Sequence, residues 1–141
     1  MTAERIKALL HMFNEAAPIA RLFGMRLSFT EEANAAIDLP YNPLLDHGSG
    51  GVHGGVCATM LDSAGWFTAA ASHDAPSWHA TSQLNTHFLE PARETSLRAI
   101  GRLLKRGRRQ VVAEMCLYDD QDRLVGHATG TFAAIERIPL H

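Results

Sequence analysis

Along this chain the hydrophobic positions change period. Near the start, Ile6, Leu9, Leu10 and Phe13 recur at helical spacing, which predicts a helix over about residues 3–15 with Thr2 as its N-cap. Pro18 ends or redirects that helix. Residues 25–30 and 34–40 read as two strands joined at Glu31-Glu32, the second closed by Pro40. A loop follows over 41–52, with Asn42-Pro43 and then Asp46-His47-Gly48-Ser49-Gly50-Gly51. Residues 54–72 form the longest apolar run, with Cys57, Met60, Leu61, Trp66 and Phe67 spread over every face, so a helix buried nearly all round is expected there.

From residue 78 the period falls to two. Trp78, Ala80, Ser82, Leu84 and Phe88 alternate with His79, Thr81, Gln83, Asn85 and His87. Similar alternation centres on Leu97–Leu103, Val111–Leu117 and Leu124–Phe132, with breaks at Pro91-Ala92, Gly107 and Asp119–Asp122. The pattern predicts four strands linked by short turns, hence an antiparallel sheet. A single buried helix between two strands and four more needs a sheet that curves around it. The expected architecture is therefore α+β: a curved, six-stranded antiparallel sheet wrapped on one long central helix, with a short N-terminal helix. An open sheet edge in such a domain favours pairing with a second copy.

Composition narrows the function classes. The 141 residues suit one domain, 1–141, with its core at about 18–135; 46% are hydrophobic and 20% charged. A net charge of −2 gives no global pull toward nucleic acid or a membrane surface. The polar N-terminus has no signal-peptide core and no stretch reaches membrane-span length, so a cytoplasmic setting is expected. Cys57 and Cys116 form no CxxC pattern and read as reduced thiols. His47, His79 and His87 lack metal-ligand spacing, and no GxSxG elbow is present, so neither a zinc site nor an α/β-type serine hydrolase is expected.

The remaining chemistry centres on Asp62, the one charge in the long apolar helix. A carboxylate there loses hydration, and no basic residue at 58, 59, 65 or 66 pairs with it. An Asp bonded to nearby backbone, or facing solvent at a subunit seam, would have the same spacing. The helix is opened by His53-Gly54-Gly55, whose backbone N–H groups and helix dipole favour developing negative charge. A helix start and an acid two turns on can address one bound group from two sides. His53 reads as a base or, more simply, as a loop-fixing hydrogen-bonding residue. Lys105-Arg106-Gly107-Arg108-Arg109 is a basic turn, either a solvated hairpin tip or a clamp for a small polyphosphate. Trp66, Phe67, Trp78 and Phe88 serve either a core or an aromatic-lined pocket.

The stretch His53-Gly54-Gly55 through Asp62, then Thr81-Ser82-Gln83-Leu84-Asn85, Phe88-Leu89-Glu90-Pro91-Ala92 and Arg106-Gly107-Arg108-Arg109, resembles the PaaI-like hotdog-fold thioesterases of the 4-hydroxybenzoyl-CoA thioesterase superfamily. Leu22-Phe23-Gly24-Met25 resembles that family's lead into its first strand, and the likeness spans about residues 18–135. The resemblance implies the hotdog fold and hydrolysis of acyl-CoA thioesters with no metal or other cofactor. It implies Asp62 as general base or nucleophile, the Gly54 N–H as donor to the thioester carbonyl, and Thr81, with Ser82 beside it, as the hydroxyl that places water or acid. His53, Gly55, His47, Ser82, Arg106, Arg108 and Arg109 become substrate-contact candidates, the arginines toward CoA phosphates. It also implies a homodimer or dimer of dimers, with the acid and the glycine donor drawn from different chains. One position departs from the pattern: many relatives carry Asn six residues before the HGG histidine, where this chain has His47, with Asn42 the amide nearby in sequence. A catalytically weak acyl-CoA binding or regulatory protein is the alternative. A hotdog dehydratase would need a differently placed His and acid.

Overall fold

The structure is a computed structural model that describes residues 2–73 and 78–135; Met1 and the end of the expected 1–141 domain lie outside them. Helix α1 (Ala3–His11) is N-capped by Thr2, whose hydroxyl accepts from the Arg5 N–H. The chain then widens into a π-helical turn (Met12–Ala16), and α2 (Pro18–Phe23) restarts with proline in its first turn. The single helix expected over 3–15 is thus shorter as α-helix, and Pro18 opens a new helix as well as ending the old one. Gly24, at φ 84°, closes α2 in the left-handed conformation.

Strands β1 (Arg26–Phe29) and β2 (Ala35–Leu39) form an antiparallel pair. Helix α3 (Gly54–Ala71) is followed by β3 (Trp78–Phe88), β4 (Leu97–Arg106), β5 (Gln110–Asp119) and β6 (Leu124–Ile135). All six strands make one sheet in the order β1-β2-β4-β5-β6-β3, every pairing antiparallel. The sheet wraps α3, as the hotdog arrangement requires. The expectation of four strands joined by short turns fails at one junction. Strand β3 pairs with β6 and β4 with β2 and β5, so the 89–96 connection carries the chain from the sheet's edge back to its interior.

Close packing holds the helix in the sheet. Met60, Leu61 and Ala64 are fully buried against Ile37, Ala99, Met115 and Phe132. A Cβ on Gly65 would lie 2.6 Å from both Met115 Sδ and Phe132 Cζ, and one on Gly101 would lie 2.5 Å from the Ala64 carbonyl oxygen. Buried Thr68 ties α3 to β2, its hydroxyl donating to Ala64 O (2.8 Å) and accepting from the Ala35 N–H (2.9 Å). Phe13, Phe67, Trp66 and Trp78 form an edge-to-face chain with centroids 4.8–5.2 Å apart, so these rings serve the core. Phe88 does not join them.

The two sheet edges are unlike. Asn14, in the π-helical turn, accepts from the Leu27 N–H (2.8 Å) and donates to Leu27 O (3.0 Å), so its amide occupies the outer edge of β1. Among the described residues, no strand pairs with the free edge of β3. No helix of the described residues is long and apolar enough to cross a membrane.

Candidate active site

Helix α3 is less buried than its composition predicts. Gly55 is exposed, and Thr59, Asp62, Ser63 and Trp66 are half-buried, at spacings that form one stripe along the helix. Asp62 therefore sits on the one face of α3 that the sheet leaves open. Burial pushes its carboxyl above the usual Asp range, while a hydrogen bond from Thr81 pulls in the opposite direction. That bond is short, Thr81 Oγ1 donating to Asp62 Oδ1 at 2.7 Å.

A fault in β3 aims Thr81 at the helix. The register with β6 shifts between Thr81 and Gln83, leaving Ser82 as the extra residue of a β-bulge. One inserted residue reverses the alternation. His79 (1% exposed) lies on the helix side before the bulge, with Thr81 in line with it, and half-buried Leu84 and Thr86 follow on that side. The simple alternation expected for β3, with Trp78, Ala80, Ser82, Leu84 and Phe88 on one face, is corrected accordingly. Ser82 itself is turned away, its hydroxyl donating to Thr131 O at 3.2 Å, so the structure brings Thr81 to the acid and not Ser82.

The start of α3 is a prepared donor site. His53 is the N-cap, and its Nδ1 accepts from the Gly55 N–H at 2.8 Å. His53 thus fixes the turn, its Nδ1 is engaged, and the Gly55 donor is consumed. The Gly54 N–H has no acceptor among the described residues. Gly54 is part of the wall of a cavity of about 330 Å³, with His47, Val52, Cys57, Phe88, Leu89 and Val125, among others. The Phe88 ring lies over Gly54, 3.5 Å from where a Cβ would stand. Phe88 is 57% exposed, which separates it from the core aromatics. Cys57 was not singled out as a wall of this cavity; its position one turn after Gly54, on the same helix face, was the available signal. A larger groove of about 670 Å³ beside Asp38, Arg98 and Tyr118 contains none of the site residues.

The glycine-rich loop is ordered by its own backbone. His47 N–H donates to Gly51 O (2.8 Å), Gly50 N–H to His47 O (3.0 Å), and Ser49 N–H to His47 Nδ1 (3.0 Å). With Nδ1 accepting, the neutral His47 ring carries its proton on Nε2, which is left to donate. Asn42 is committed elsewhere: its side-chain oxygen accepts from the Leu44 N–H and caps the 3-10 turn Pro43–Leu45.

The basic turn lies at the other end of α3. Arg106 Nε donates to Ser72 O at 2.5 Å, so this arginine caps the helix's C-terminal carbonyls. Lys105, Arg108 and Arg109 are exposed, and the turn is closed by the Gly107 N–H donating to Gln110 O at 2.9 Å. Of the cations expected to meet phosphate, Arg106 already has a structural partner.

Gly54 and Asp62 are two turns apart along one helix, about 12 Å of axial rise. An oxyanion donor sits about 3 Å from its oxygen, and an attacking water must lie as close to the same carbonyl. Along one chain's helix the two groups are thus spaced more widely than a single thioester carbonyl and its attacking water require.

Comparison with known proteins places this geometry. The model of the family described as thioesterase superfamily matches residues 49–126, more than half the chain. The medium/long-chain acyl-CoA thioesterase YigI of Escherichia coli is 27% identical over 148 aligned positions, covering 94% of this chain and 96% of its own. A Saccharolobus solfataricus protein named as an esterase is 27% identical over 127 positions, covering 90% of each chain. The crystal structure of the Bacillus halodurans protein BH2602 with CoA superposes with a TM-score of 0.82 at 28% identity, covering 96% of this chain and 91% of that one. The glycine-opened helix, its acid and the bulged strand all fall inside the matched stretch, and the chain belongs to the thioesterase superfamily, with its hotdog fold.

Proposed function

We propose that this protein hydrolyses acyl-CoA thioesters to a free carboxylic acid and CoA, at a site shared by two subunits. The observation that carries the reading is the 2.7 Å bond from Thr81 to Asp62 on the open face of α3. It holds a half-buried carboxylate in a fixed direction, beside the free edge of β3. YigI and the CoA-bound Bacillus structure support acyl-CoA as the substrate class.

In this mechanism, pairing of two β3 edges brings Gly54 of one chain and Asp62 of the other to the same thioester. The carbonyl oxygen lies against the Gly54 N–H, where the donor and the helix dipole stabilise negative charge as it develops. Water attacks the carbonyl carbon, Asp62 takes its proton, and CoA leaves as thiolate. If Asp62 attacks directly, an anhydride forms and water then opens it. His47 Nε2–H takes the place of the Asn common in the family, as a donor in the Gly54 cavity. Lys105, Arg108 and Arg109 are the cations left for CoA phosphates. They lie near the C-terminal end of α3, ten residues or about 15 Å of helix rise beyond Asp62, within the span of an extended pantetheine arm.

A thiol-release assay over short, medium, long and aryl acyl-CoAs tests the proposal. Asp62→Asn should lower turnover about a hundredfold to ten-thousandfold, the usual worth of a positioned acid–base group, with the fold intact. An Asn variant as fast as wild type would remove Asp62 from the mechanism. Tight acyl-CoA binding with no thiol release from wild type would favour the binding or regulatory role instead.

A further inference from the structure

The outer face of the sheet, turned away from α3, carries a second concentration of reactive side chains. Ile100, Cys116, His127 and His87 form one row across β4, β5, β6 and β3, each directly opposite the next. Glu114 precedes Cys116 by two residues and so shares its face. Its carboxylate is held from both sides, by Arg102 Nη2 on Oε1 (2.5 Å) and by His127 Nε2 on Oε2 (3.1 Å). One ligand atom from each of Glu114, Cys116 and His127 lies within 4.8 Å of the others, and all three residues are half-buried. His87 is exposed at the position paired with His127.

An arginine–glutamate–histidine ladder on a sheet surface needs no further purpose. It accounts for Glu114 and His127 but not for a half-exposed thiol set against them, since free cysteine is among the most buried residue types. Zinc bonds of about 2.3 Å to sulfur and 2.0–2.1 Å to nitrogen or oxygen put tetrahedral ligand atoms roughly 3.3–3.8 Å apart. With the three donor atoms inside 4.8 Å and the Glu114–His127 pair already at 3.1 Å, modest side-chain rotations would part that hydrogen-bonded pair and bring the sulfur to the same spacing. Sulfur and imidazole donors select a borderline-soft transition ion over magnesium or calcium.

We propose that Glu114, Cys116 and His127 form a binding site for a divalent transition-metal ion of the zinc type, with His87 as the fourth ligand. Binding releases the Cys116 thiol proton to solvent, and the proton that His127 Nε2 donates to Glu114 moves through solvent to Nδ1, so that the Nε2 lone pair can turn to the ion. Arg102 stays on the far carboxylate oxygen and orients it. The ion would join β5, β6 and the edge strand β3 on the face opposite the Asp62 stripe.

Untagged, reduced, metal-free protein titrated with Co²⁺ tests this site without reference to thioester hydrolysis. One equivalent per chain should give a thiolate-to-cobalt charge-transfer band that Zn²⁺ displaces. Cys116→Ser should abolish the band and Cys57→Ser should leave it. His127→Ala should weaken binding by more than the roughly tenfold to hundredfold that loss of an outer-shell partner costs, and His87→Ala by less than His127→Ala. No band in wild type, or a band that survives Cys116→Ser, would overturn the proposal.

Discussion

At the scale of single residues, half-buried Asp62 and buried His79 are shifted in opposite directions. Asp62 is raised by burial and lowered by the bond from Thr81. A general base works only when deprotonated, so kcat/KM should fall on the acid side of its pKa. Thr81→Val removes the bond that favours the carboxylate, so the acid limb should move to higher pH while the plateau above it persists. A pH–rate profile checks this, and an unmoved limb would mean that another group controls it. His79 is the opposite case. Burial first, then His73 with its ring centroid 4.8 Å away, and then Arg5 hold it down at about 4, from a usual 6.5. Neither of its ring nitrogens has a partner among the described residues. The unfolded chain takes up this proton before the folded one does. The stability from neutral His79 is therefore complete above about pH 6.5 and is lost as pH falls toward about 4, by a few kcal/mol at most. Thermal melts of His79→Phe across that range should show a shallower loss than wild type.

At the scale of elements, the close crossing of α3 and β4 is held open by a missing side chain. Gly101→Ala would push a methyl into Thr68 Oγ1 and the Ala64 carbonyl, and backbone cannot turn aside. A cost of about 1–3 kcal/mol or more is expected in urea unfolding, whereas Gly48→Ala, with open space around it, should be near neutral. The same element boundaries explain what was legible in the chain. Period-two alternation located all four later strands, and the apolar run located α3, because burial on one face or all round dictates those rhythms. Strand order was not legible: nothing in 89–96 says that this connection returns to the sheet interior. The bulge at Ser82 was not legible either, since one extra residue leaves the local pattern intact and shows only against its partner β6. Asp62 stood out as a lone charge and Gly54 as part of a helix start. The resemblance pointed to Thr81 as the hydroxyl beside the acid, but its choice over Ser82, and the division of labour in which His53 takes Gly55 and leaves Gly54 free, show only in the folded chain.

At the scale of the whole molecule, the proposed shared site rests on how the two sheet edges differ. Asn14 bonds along the outer edge of β1, and the free edge of β3 is the one we propose to pair with a second copy, which would bridge the about 12 Å of helix rise between Gly54 and Asp62. The claim can be tested because each half-site can be removed alone. Gly54 is the first helical residue, where proline is tolerated and lacks the N–H, so Gly54→Pro deletes the proposed oxyanion donor. It should cost about a hundredfold to a thousandfold in kcat. The direct measurement is thiol release from acyl-CoA after Gly54→Pro and Asp62→Asn proteins are unfolded together and refolded as a mixture. Half of randomly reassorted dimers are mixed, and each mixed dimer regains one intact site, so activity should recover to about a quarter of wild type. A mixture as inactive as its two parents would contradict a site shared between subunits.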